Sequence, residues 1–201
     1  MGKIFSFFSY VFHPVFAPVY GVLLFLYIDV NRFGTDQKLL ILAQTAIVTL
    51  AIPLIFFFLL RLLGKADSLM LPEVSQRRLP LTFQILMFYI LIERSFTITA
   101  IPELHYFFMA GMISTCLALC CSLFNFRISL HMLGISGLLV FGFGLALHNE
   151  SNMAFLIAGL SIINGLTATS RLILEAHDFK ELIAGFLIGL VPQVLLLPMW
   201  I

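Results

Sequence analysis

Apolar runs of similar length follow one another from end to end of this chain, with only short polar breaks between them. A hydrocarbon core of about 30 Å is crossed by about 20 helical residues. Runs near residues 5–28, 38–63, 80–97, 103–124, 129–148, 152–169 and 181–201 approach or exceed that length. Inside hydrocarbon every main-chain N–H and C=O must be satisfied internally, which leaves helices and closed barrels. Runs this long and unbroken lack the alternation of barrel strands. The expectation is an all-α, polytopic transmembrane helix bundle of about seven spans, forming a single integral membrane domain over residues 1–201.

Composition agrees, since 61% of the 201 residues are hydrophobic and only 10% are charged. No soluble fold hides that much apolar surface. A net charge of +1 offers no basic surface, so nucleic acid is excluded as a partner and the lipid bilayer is the environment. Cys116, Cys120 and Cys121 fall within one apolar run and read as lipid-buried packing residues. The first run lacks a small-residue cleavage site before Asp29 and reads as a retained span.

Two runs carry internal interruptions. Pro53 is expected to kink the second span. Glu93 and Arg94 interrupt the third, which crosses if they snorkel at its end and is otherwise re-entrant, leaving six spans. Gly185 and Gly189, four residues apart in the last run, predict close helix packing.

Alternating crossings assign each break to a side. Lys3, Arg61, Lys65, Arg77, Arg78, Arg127, Arg171 and Lys180 then share one face, against Arg32, Lys38 and Arg94 on the other. Such a bias ordinarily marks the cytoplasmic face. Arginines also gather where phosphate is bound, because the guanidinium fork matches phosphate oxygens. His131 and His177 fall on this arginine-rich face, whereas His105 and His148 fall on the other. His13, a few turns into the first span, reads as a packed residue.

The sharpest local pattern is Ser170-Arg171, five residues, His177, three residues, Glu181, leading into the last apolar run. On a helix, positions 177 and 181 share a face, so the Glu181 carboxylate can accept the imidazole N–H. That contact selects the tautomer and raises the basicity of the other nitrogen, as histidine nucleophiles require. Arg171 is placed to hold an anion against it.

In this pattern the chain resembles the type 2 phosphatidic acid phosphatase superfamily, whose third motif reads Ser-Arg, five residues, His, three residues, Asp. Glu181 stands where Asp is usual. The family's second motif, Pro-Ser-Gly-His, is matched by Ser129 and His131 within Ile128-Ser129-Leu130-His131, without the Pro and Gly. Arg78, before Leu79-Pro80, is the counterpart of the first motif's Arg-Pro, with no lysine at the family's spacing.

The resemblance implies hydrolysis of a lipid-linked phosphate without a metal or other cofactor. His177 is implied as nucleophile, oriented by Glu181, and His131 as acid for the leaving group. Arg171, Arg78 and Ser129 are implied as phosphate ligands, and Arg127 joins them by its position four residues before His131. The expected partner is a membrane lipid phosphate, such as phosphatidate, phosphatidylglycerophosphate, an isoprenyl diphosphate or a lipid A phosphate. The resemblance favours an extracytoplasmic site in the cell's inner membrane, while the arginine count favours a cytoplasmic one. The competing readings are a non-catalytic relative that binds lipid phosphate or a protein partner, and a small transporter.

Overall fold

A computed structural model of the protein describes residues 2–29, 31–68, 70–71, 73–149 and 153–201, with side chains from residue 5 onward. The described residues form nine α-helices: α1 (Gly2–Val11), α2 (Ala17–Ile28), α3 (Thr35–Ala46), α4 (Ile52–Leu62), α5 (Arg78–Arg94), α6 (Pro102–Leu123), α7 (Leu130–His148), α8 (Ala154–Ile173) and α9 (Phe179–Leu196). Six stretches are long and apolar enough to cross a membrane, with α1–α2 and α3–α4 each counting as one. Their outer surfaces are apolar, with Leu62, Phe124 and Phe155 almost fully exposed, as suits a lipid solvent. The side chain of Lys3 and the predicted break beyond Asn149 lie outside the described residues.

The third predicted span is α5, whose 17 residues reach about 25 Å at 1.5 Å per residue. It is not among those six. Arg78 at its start bonds to Ser122 and Asn125 at the end of α6, and Phe96 just beyond it stacks on Phe108 and receives His105 near the start of α6. The helix therefore runs antiparallel to α6 from one end of the bundle to the other, and Glu93 and Arg94 lie at its exposed terminus.

Prolines set the breaks. The first predicted span, 5–28, is two helices, because Pro14 forces His13 into an extended conformation (φ −63°, ψ 138°) before a single 3₁₀ turn leads into α2. In the second span the kink expected at Pro53 takes the form of a π-helical turn, Ile47–Ala51, between α3 and α4. Pro53 cannot donate to the carbonyl four residues back, and the widened turn absorbs the mismatch.

The bundle is centred on α7, which packs against α9, α8, α2 and α6. Glycines permit the closest approach: a methyl at Gly185 would overlap the carbonyl of Ser129, and one at Gly189 would overlap the carbonyl of Leu133 and the hydroxyl of Ser136. The largest apolar cluster, including Val22, Phe25, Leu104, Phe108, Phe141 and Leu145, fills the half of the bundle away from the arginine-rich loops. At that far face Arg32 bridges Asp29 (3.3 Å) and the buried Glu103 (2.5 Å), with His148 3.6 Å from Glu103.

Candidate active site

The loops before α5, α7 and α9 meet at the other face. Three side chains join them: Arg77 donates to the carbonyls of Leu71 and Ile128 (2.8 Å each), Arg78 to Ser122 and Asn125, and Arg127 to Ala176. Leu71, Asn125 and Glu175, the described non-glycine residues with positive φ, all lie on these loops. Left-handed backbone is costly for such residues and concentrates where surrounding structure enforces a geometry.

His177 is buried on the short loop between α8 and α9, and its Nδ1–H donates to Glu181 Oε2 at 2.6 Å. The predicted pair is present, but not as two residues on a helical face. His177 precedes Asp178, the N-cap of α9, and Glu181 is the third helical residue. The two form a capping box, with the Glu181 N–H donating to Asp178 (2.8 Å) while the Glu181 carboxylate reaches back toward the Asp178 N–H (3.4 Å). That backward reach brings the carboxylate to the imidazole. With the proton on Nδ1, the lone pair of His177 is on Nε2. Burial, with Arg77 and Arg127 nearby, pushes His177 down to about 4 against the opposing pull of Glu181, so the ring is neutral at physiological pH.

His131, in the first turn of α7, donates Nε2–H to the carbonyl of Ser9 at 3.1 Å. Its ring meets His13 edge-on at 5.3 Å between centroids, a contact made available by the break at Pro14. Ser9, near the end of α1, is also within 2.8 Å of the Ser170 hydroxyl and accepts from Arg171 Nη1 at 3.2 Å. Ser9 was not among the candidates from sequence, and its partners lie more than a hundred residues away; the nearest local signal was Pro14, which shapes the adjoining break.

The arginines divide differently from expectation. Arg77, not Arg78, faces the histidines: it is buried, and burial together with Arg127 lowers it to about 10, where it remains charged at neutral pH. Arg78 is turned toward the end of α6. Ser129 is the buried N-cap of α7, its hydroxyl accepting from the Met132 N–H and its own N–H donating to the Glu181 carbonyl. Its hydroxyl is thus engaged in holding α7. Arg127 lies 3.6 Å from Glu181 Oε2.

Two hollows meet at this cluster. One, of about 210 Å³, is lined by His131, His177, Arg77 and Arg171 at one end and by phenylalanines, leucines and glycines of α4, α5, α6 and α7 beyond. The other, of about 340 Å³, shares Arg77 and Arg171 and adds Arg127, Ser6 and Ser9, with Glu175 on its wall. Three guanidiniums thus gather here, with Glu181 beside Arg127. Nε of Arg127 and Nε of Arg171 are buried without a hydrogen-bond partner among the described residues. Buried charge in excess of its partners is costly, and an anion would relieve it. Among the described residues no three His, Cys, Asp or Glu side chains are grouped as metal ligands. No protein-family model, curated protein or solved structure matches this chain.

Proposed function

We propose that the protein is a membrane phosphatase that hydrolyses a lipid-linked phosphate through a phosphohistidine on His177. The observation that carries this reading is the 2.6 Å contact of His177 with Glu181, at the head of an apolar-walled cavity that also holds Arg77 and Arg171. A neutral imidazole with its lone pair on Nε2 and a carboxylate behind Nδ1 is the arrangement that nucleophilic histidine needs. Arg77 and Arg171 would neutralise the equatorial phosphate oxygens, the largest contribution to such transfers.

In the first step Nε2 of His177 forms a bond to phosphorus while the bond to the lipid oxygen breaks, and Glu181 stabilises the imidazolium that results. The leaving oxygen takes a proton from the imidazolium form of His131, whose Nε2–H exchanges its bond to the Ser9 carbonyl for one to that oxygen. Water then attacks phosphorus, passing a proton to His131 as the P–N bond breaks, which releases inorganic phosphate and restores both histidines. No step calls on a metal. We place the protein in the cell's inner membrane, as the resemblance implies.

A binding role without turnover is the second reading, favoured by one observation: the Nε2–H of His131 is already engaged by Ser9. Rapid acid quench of purified protein mixed with a radiolabelled lipid phosphate separates the two. The phosphatase gives an acid-labile, base-stable phosphoprotein in the wild type and none in His177→Ala, with phosphate release at background. Absence of both phosphoprotein and phosphate release in the wild type, for every lipid phosphate tried, overturns the reading.

A further inference from the structure

Resting on the phosphatase reading, we infer that the substrate is a single-chain lipid phosphate whose chain is threaded into the bundle and measured by a closed floor near the bilayer midplane. The cavity that begins at Arg77, Arg171 and His177 continues along α5 as far as Phe88 and along α9 as far as Gln193. From Arg77 to Phe88 is about 16 Å, and from Glu181 to Gln193 about 18 Å, at 1.5 Å per helical residue. A hydrocarbon core is about 30 Å thick, so this depth is close to one leaflet.

Gln193 and Phe107 stand at its inner end. Gln193, almost fully buried, donates to the Phe107 carbonyl at 3.1 Å, and the Phe107 ring stacks on Phe141 at 4.3 Å between centroids. The edge of Phe107 also fills the place where Gly21 lacks a side chain. Beyond this floor lies the main apolar cluster, and beyond that the ion pairs of the far face.

Glycines of three helices lie along it, Gly111 on α6, Gly137 on α7 and Gly189 on α9. Below the arginines the lining is mostly phenylalanine, leucine and proline. Cation at the mouth and hydrocarbon below match a phosphate joined to a linear tail. Since the tail exchanges one apolar setting for another, its length should matter little until it reaches the floor, and then abruptly.

Gly111 supplies the test. A methyl there meets Phe88 at 3.5 Å, an ordinary contact, so Gly111→Ala is accommodated while Gly111→Leu projects into the bore. Purified protein in detergent is given octyl, dodecyl and hexadecyl phosphate and a two-chain phosphatidate. The wild type should cleave octyl and dodecyl phosphate, fall off abruptly at hexadecyl, and discriminate against phosphatidate. Gly111→Leu should lower the dodecyl-to-octyl ratio of kcat/KM by roughly tenfold or more, as overpacking of a filled site does, with Gly111→Ala between it and the wild type. Phe107→Ala, which opens the floor toward Gly21, should move the longest accepted chain upward. An unchanged ratio in Gly111→Leu, or phosphatidate cleaved as fast as the matched single-chain ester, overturns the inference. Alkyl phosphonates of the same lengths keep the test separate from turnover. If phosphate is never released but dodecyl phosphonate stabilises the wild type and not Gly111→Leu, the phosphatase reading fails and the channel stands. If no phosphonate shifts the melting temperature of the wild type, the channel fails as well.

Discussion

Replacing Glu181 by Gln separates an orienting carboxylate from a helix cap, and the electrostatics of the site predict an unusual sign. His177 titrates near 4, pushed down first by burial and then by Arg77 and Arg127, while the hydrogen bond and charge of Glu181 pull it up. Removing that charge lets the arginines act unopposed, so His177 becomes harder to protonate. The acid limb of kcat/KM, which reports the free enzyme's nucleophile, should therefore move below its wild-type position near pH 4. A weaker acid limb would ordinarily be welcome to a nucleophile, but turnover should still fall. The amide cannot stabilise the imidazolium formed on attack, a loss of roughly 10²–10⁴-fold in related histidine–carboxylate arrangements.

The measurement is a pH profile of phosphate release from a short-chain ester in detergent, for wild type and variant, with a melting curve at each pH. Gln at the third helical position still serves the capping box, so the fold should survive. Glu181→Asp, which restores the residue of the resembled family, should retain turnover. Wild-type turnover in Glu181→Gln, or an acid limb displaced upward, refutes the assignment of Glu181 as the orienting group.

Three further outcomes follow from the structure. Because His177 is held below its ordinary value near 6.5, the unfolded chain takes up this proton first as pH falls; stability should drop by about 3 kcal/mol between pH 6.5 and 4 and level off below, and His177→Asn should lose that slope in detergent melting curves. Gly185→Ala, which drives a methyl against the Ser129 carbonyl, should cost about 1–3 kcal/mol, whereas Gly165→Ala, with no atom within 4 Å of the new methyl, should leave the melting temperature unchanged or raised. Ser9→Ala removes the hydroxyl that accepts from Arg171 but keeps the carbonyl that receives His131, so KM should rise while kcat and its pH profile stay near wild type; an equal fall in kcat would place Ser9 on the proton path instead.

Much of the architecture was legible because a bilayer leaves a helix few alternatives. Run length located the spans to within a few residues, and alternation brought the loops carrying Arg77, His131 and His177 to one face. The proximity of His177 and Glu181 was also legible from their spacing, although the contact arises from a capping box and not from a helical face. What sequence could not decide was orientation about a helix axis. Arg77 and Arg78 are neighbours, and adjacent helical residues project about 100° apart; the 3₁₀ turn at Ser75–Arg77 turns the first inward and the second toward α6. Ser9 was hidden for another reason, since its contacts with His131 and Arg171 are tertiary and leave no trace in local pattern.

The two charged clusters of this bundle also show why one is read as a ligand site and the other is not. At the far face Arg32 has two carboxylates, Asp29 and Glu103, within salt-bridge distance, so the charge it brings is matched where it stands. At the near face Arg77, Arg127 and Arg171 line one hollow, and Glu181, which lies beside Arg127, already accepts from His177. Arg77 satisfies two of its nitrogens with main-chain carbonyls, which supply hydrogen bonds but no countercharge. A membrane protein selected only for stability would lose such an excess, because each unmatched buried charge costs several kcal/mol. Its retention beside a neutral imidazole, at the mouth of an apolar cavity, is what the proposed lipid phosphate would account for.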